Sequence, residues 1–195
     1  MASGTATAPY ELRFDSGRIC LDLLTTTHPE ERLDSVERLR AWITGAGLVP
    51  VGTPLAGVDA GWLRDFRELR LHLGVLVRGE LDGQPAEGAL ARVNAVARQA
   101  PPVLCAVRAE GGVLVRRLRA LPGSGELLAV VAREAIELLT DPGARASLRQ
   151  CEGDNCPIVY LDTSRGRRRR WCSSEVCGNR ERVARHRRRA ALARA

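Results

Sequence analysis

A chain of 195 residues with 45% hydrophobic content can hold one ordinary domain and a small second one, and is too apolar to be disordered throughout. All 30 basic residues are arginine, which excludes a P-loop lysine, a Schiff-base lysine and a Ser-x-x-Lys pair. Residues 1–150 carry 18 Arg against 18 acidic side chains and residues 151–195 carry 12 against 5, so the whole net charge of +7 lies in the last 45 residues. A cationic segment beside a neutral domain is the footprint of a polyanion binder.

The start, MASGTATAPY, has neither the basic nor the apolar region of a signal peptide, and no apolar run approaches the roughly 20 residues that span a bilayer. A cytoplasmic protein without membrane attachment is expected. In a reducing compartment six cysteines point to metal or free thiols, not to a disulfide framework.

In chain order, YELRF reads as a short strand from Tyr10, followed by a turn at Ser16-Gly17 and a buried apolar segment from Ile19 to Leu24. Asp34 or Ser35 caps a helix with Val36, Leu39, Trp42 and Ile43 inward, ended by Gly45 or Gly47. A second helix starts near Asp59, with Trp62, Phe66, Leu69, Leu73 and Leu76 forming one apolar stripe. Pro85 opens a third with Leu90, Val93 and Val96 inward, stopped by Pro101-Pro102.

The period then changes. VLCAVRAEGGVLVRRLR predicts a β-hairpin whose two-residue loop, Gly111-Gly112, needs positive φ. GSGELLAVVAREAIELLTDP returns to helical spacing with Ser124 as cap, and Asp141-Pro142 breaks it before a short helix to Gln150. The expected fold class is α+β, mainly α. Its parts are an N-terminal segment (1–14), a helical domain with a β-hairpin (15–141), a connecting helix (142–150) and a small module (151–195).

Cys151, Cys156, Cys172 and Cys177 follow the pattern C-x4-C-x15-C-x4-C. Two local pairs of soft ligands joined by a short spacer suit a tetrahedral zinc ion. PIVYLD (157–162) reads as one arm of a hairpin, TSRG (163–166) as its turn and RRRRW (167–171) as the return arm. Ser173 or Ser174 then caps a helix whose first turn holds Cys177, a treble-clef-like arrangement. A module this small lacks a sufficient core, and structural zinc supplies roughly 10 to 16 kcal/mol. With all four positions closed, one structural zinc per chain is expected.

On the last helix Val176, Val183 and Ala190 share a stripe expected to pack on the hairpin, while Arg182, Arg185 and Arg189 lie opposite and Arg180 and Arg187 flank the seam. Arg165, Arg167, Arg168, Arg169 and Arg170 form a second patch, and Asn179 and Arg188 complete the candidate nucleic-acid contacts. Guanidinium groups suit bidentate phosphate contacts and guanine edges.

Catalysis has few candidates. His28, His72 and His186 have no recognisable nucleophile partner, so no enzyme is expected. Cys20, Cys105, Trp42 and Trp62 read as core residues, and PGSGE as a helix cap rather than an anion seat.

The segment from Cys151 to Arg189 resembles the CGNR zinc-finger family through its four cysteines, LDTSR (Leu161 to Arg165), RRWC (Arg169 to Cys172) and Cys177-Gly178-Asn179-Arg180. Upstream, GRICLDLLTTTH and LRAWITGAGLV are similar to the ABATE domain, described as a stress-induced transcription regulator. Where that domain tends to carry Leu-Asp-x-x-Asn-Thr, this chain has Leu21-Asp22-Leu23-Leu24-Thr25-Thr26. The resemblance implies a bacterial regulator that binds double-stranded DNA. The helical domain would sense a small-molecule effector or form a homodimer, since a module this small makes few base contacts alone. The alternative is an adaptor for RNA or protein built on the same zinc finger.

Overall fold

In the computed structural model, which describes residues 11–192, several helix starts follow from their capping residues. Helix α2 (Val36–Gly45) begins at Ser35, not Asp34, with Ser35 Oγ accepting from the Arg38 N–H at 3.2 Å. Helix α3 (Ala60–Asp82) begins at Asp59, whose carboxylate accepts from the Trp62 N–H at 3.0 Å, and ends on Gly83 in the left-handed region.

The N-terminal expectation changes. Residues 11–15 form no strand, and Tyr10 lies outside the described residues. A strand needs a ladder, whereas here the backbone is held singly: Arg32 donates to the Glu11 carbonyl and Leu161 N–H to that of Ser16. The apolar segment after it is helix α1 (Ile19–Thr25), buried against α3 and the later helix at Ser124–Thr140. Arg18 offers no side-chain cap, and the Glu134 carboxylate accepts from the N–H groups of Ile19 and Cys20 at 3.1 and 2.8 Å instead.

Helix α4 (Glu87–Ala97) buries Ala89 and Val93, while Leu90, expected inward, is exposed. Strands β1 (Leu104–Arg108) and β2 (Leu114–Leu118) pair antiparallel as expected. Ala109 N–H closes on the Val113 carbonyl, which leaves a three-residue loop, Glu110-Gly111-Gly112, with both glycines at positive φ. Helix α5 (Ser124–Thr140) starts at the residue expected to cap it, so its cap lies one residue earlier. Gly123 is the N-cap, its N–H held by Glu126 at 2.7 Å, while Ser124 Oγ donates to Asp65.

After Asp141 the chain makes only the four-residue helix α6 (Pro142–Arg145), then strand β3 (Leu148–Gln150), which pairs antiparallel with β4 (Val159–Leu161). This ribbon faces two ways, because side chains alternate along a strand. Leu148, Val159 and Leu161 enter the main core, while Ile158 and Tyr160 pack with the four cysteines. That main core centres on Leu21, Leu39, Trp42, Phe66, Leu73, Leu127 and Leu138, with Trp42 edge-on to Phe66 at 5.9 Å. Trp62 is only half-buried, and Leu63 takes the inward place. Cys20 is buried as expected, whereas Cys105 sits half-exposed on β1. Helix α7 (Cys177–Leu192) completes the chain.

Candidate metal centre and basic surface

The first knuckle, residues 151–156, is fixed by its own backbone. Cys156 N–H donates to the Gly153 carbonyl at 3.1 Å, and Asn155 takes a left-handed φ of 55°. Gly153 lies against the opposite knuckle, where an added Cβ would stand 3.2 Å from Cys177 Cβ and 3.4 Å from Cys151 Sγ. The second knuckle runs into α7: Ser173 Oγ, rather than Ser174, accepts from the N–H groups of Glu175 and Val176, both at 3.2 Å. That cap places Cys177 in the first turn of α7.

All four sulfurs lie within 4.8 Å of one another and are buried. Cys172 Sγ is 3.8 Å from Cys156 Sγ and 3.6 Å from Cys177 Sγ. A tetrahedral ion with bonds of about 2.3 Å to sulfur needs sulfurs about 3.8 Å apart, so the donor set and its spacing fit structural zinc. The thiols interact strongly. A hydrogen bond with Cys156, opposed by burial and assisted by the Arg13 guanidinium, draws Cys172 down to about 5. The same bond with Cys172, together with burial, pushes Cys156 up, and burial pushes Cys177 up to about 12. A divalent cation at the centre is what would let all four ionise.

Residues 167–171 return beside the knuckles without forming the expected ladder with β4, whose partner is β3. Side chains hold this return segment. Asp162 accepts from Ser164 N–H and Arg169 N–H, both at 3.0 Å, and hydrogen bonds led by that of Ser164 keep its carboxyl below the ordinary value. Tyr160 donates to the Arg169 carbonyl at 2.5 Å, and Glu152 N–H to that of Arg170 at 2.9 Å.

The candidate arginines fall into two groups. Arg169 is built into the module: its guanidinium lies 4.4 Å from the Tyr160 ring centroid and donates to the carbonyls of Trp171 and Cys172. Arg170 pairs with Glu152 at 2.6 Å, Arg188 with Glu181 at 2.7 Å, and Arg182 donates to the Ser174 carbonyl at 3.3 Å. Arg165, Arg167, Arg168, Asn179, Arg180, Arg185 and Arg189 are exposed.

The expected apolar seam of α7 does not pack. Val176 and Val183 are 48% and 44% exposed, and the Ala190 side chain lies outside those described. The buried or half-buried face is instead Cys177, Glu181 and Ala184, one helical stripe. Among the described side chains only those of the first turns of α7 are anchored, and those beyond carry arginine around most of its circumference.

Two neighbours of the site come from far away in the chain. Arg13 donates to Cys172 Sγ at 3.4 Å and to its carbonyl at 2.9 Å, and is paired with Asp15. His28, in the loop before a cis bond to Pro29, is held below its ordinary value by burial, with Arg180, Arg32 and Arg13 lowering it further. A separation of 159 residues leaves no local signal for the Arg13 contact.

No helix among the described residues is long and apolar enough to cross a membrane. No curated protein matches the sequence significantly. The CGNR zinc-finger family matches residues 147–190. A second family, ABATE, described as "Putative stress-induced transcription regulator", matches residues 17–142. The four clustered cysteines and these two matches describe a zinc-binding regulator, and the chain belongs to the ABATE family, with a CGNR zinc finger following its helical domain.

Proposed function

We propose that the protein regulates transcription by holding double-stranded DNA through α7 and the loop at 163–168, with zinc fixing the angle at which α7 leaves the module. The carrying observation is that α7 is anchored at one end by a metal ligand while Arg180, Arg185, Arg187 and Arg189 stand exposed beyond it. Arg165, Arg167 and Arg168 add exposed charge from the neighbouring loop. A basic helix held rigidly at its base can enter a major groove while the loop meets phosphate.

Effector sensing by the helical domain is supported by a cavity of about 490 Å³ under the β1–β2 hairpin. Leu48, Leu104, Leu118 and Val130 are among its apolar lining, and Arg116 and Glu137 among its charged lining. Such a volume suits a small amphipathic molecule. Val103, Val107 and Val113, exposed on one face of the same hairpin, support a homodimer contact.

Binding of the purified protein to duplex DNA, RNA and random competitor, measured as salt is raised, tests the reading. A preferred duplex retained at physiological salt is expected, and a steep salt slope with no preference among duplexes would refute it. Val176 and Val183 favour a second reading, an adaptor for RNA or protein, because an exposed apolar stripe between arginines suits a mixed surface better than phosphate alone. Tighter binding to RNA than to every duplex would be its signature.

A further inference from the structure

We propose that Arg13 is a positioning residue of the metal centre, an outer-shell donor supplied by the N-terminal segment. It rests on the reading that the four cysteines hold zinc. Residue 13 falls outside both family matches, which cover 17–142 and 147–190.

The contact is a constructed one. The guanidinium is held as a fork, with Nε and Nη2 donating to Asp15 at 3.1 and 2.9 Å while Nη1 reaches Cys172 Sγ and Nη2 also reaches the Cys172 carbonyl. The Arg13 side chain is only 14% exposed, so little water competes for these bonds. The segment carrying it is pinned to its surroundings. Ser16 accepts at its carbonyl from Leu161 N–H at 2.8 Å, and its own N–H donates to Asp22 Oδ1 at 2.9 Å. Gly17, at φ 89°, lets the chain pass close to β4, since an added Cβ would lie 3.1 Å from that of Leu161.

Four thiolates around a divalent ion leave two negative charges in a buried site. The other nitrogen donors to ligand sulfur among the described residues are backbone groups, Gly153 N–H at 3.4 Å and Cys172 N–H at 3.3 Å, both to Cys151. Arg13 therefore supplies the cationic side chain that both offsets the charge and orients the Cys172 sulfur.

The test uses the full chain loaded with one zinc, and separately with cobalt(II). Affinity is read by competition with a chromogenic chelator, and the state of the sulfur by the thiolate-to-cobalt charge-transfer band. Arg13→Ala is expected to weaken zinc binding about tenfold or more and to move that band to lower energy, because a thiolate that loses a hydrogen bond gives up an electron more readily. Arg13→Lys, which keeps charge but not the fork, should recover part of the affinity. Arg18→Ala, removing an ion pair to Glu134 at 4.0 Å that involves none of the four clustered cysteines, should move neither readout.

Should Arg13→Ala fail to fold, Arg13→Lys carries the test through its cobalt band. Wild-type affinity and an unmoved band in the folded variant overturn the inference while leaving the zinc reading intact. Failure of the wild-type chain to take up zinc overturns both.

Discussion

Arg169 and Tyr160 clasp each other: the guanidinium stands over the ring at 4.4 Å while the phenol donates to the Arg169 carbonyl. This arginine sits in the middle of the most basic run of the chain, yet its charge is turned inward. Replacing Arg169 with Ala should therefore cost stability, about 1 to 2 kcal/mol from the lost cation–π contact and carbonyl hydrogen bonds. Arg168→Ala, one residue away and exposed, should leave stability unchanged and weaken nucleic-acid binding. Denaturant unfolding and DNA titration of the two variants separate the roles, and equal unfolding curves would contradict the assignment.

Metal removal should be felt beyond the finger. Val159 and Leu161 sit in the main core while Ile158 and Tyr160 pack on the cysteines, so β4 belongs to both. For zinc present at a thousandfold excess over its dissociation constant, chelation removes about 4 kcal/mol of stability. Cys156→Ser or chelation is expected to lower the thermal midpoint of the helical domain together with that of the finger. Calorimetry showing two transitions, with only one sensitive to metal, would contradict that shared core.

Burial, with smaller contributions from the Asp15 and Glu134 carboxylates, pushes the Asp22 carboxyl up to about 6 against the hydrogen bond from Ser16 N–H. A carboxyl whose value is higher folded than unfolded contributes fully at pH below its unfolded value, near 3.8, and loses that contribution as pH rises through about 6. Asn keeps an oxygen for Ser16 N–H without the charge. Asp22→Asn should thus be more stable than wild type at pH 8, by about 3 kcal/mol, with the difference closing below about pH 4. Paired urea melts at the two pH values check it, and a gain independent of pH would rule out titration of this group as its source.

The metal site was legible because its ligands come in local pairs, and because four soft donors on a turn-rich background leave little other chemistry. The helix starts near Ser35 and Asp59 were legible for the same local reason. What failed is what depends on distant partners. The β3 strand hid inside an expected helix, since three residues show no alternation, and its choice as the partner of β4 over residues 167–171 is a tertiary decision. Helical periodicity correctly grouped Val176 with Val183 but cannot say whether anything covers a face, and nothing described does. Arg13 had no sequence signal at all, because its sulfur partner is 159 residues away.

The basic helix gives the sharpest discrimination. Arg182, Arg185 and Arg189 lie on one exposed flank of α7, beside the buried stripe of Cys177, Glu181 and Ala184. Replacing all three with Gln should leave zinc content and melting temperature unchanged, since among the described residues that flank reaches the module only through the long bond from Arg182 to the Ser174 carbonyl. If each meets one phosphate, the slope of log affinity against log salt falls by about 2.7 in duplex DNA, and binding at physiological salt is lost. The companion substitution of Arg180 and Arg187, on the flank beside Val176 and Val183, tests which side faces the partner. Loss of binding in the second variant with full retention in the first would reverse the orientation of α7 on the nucleic acid.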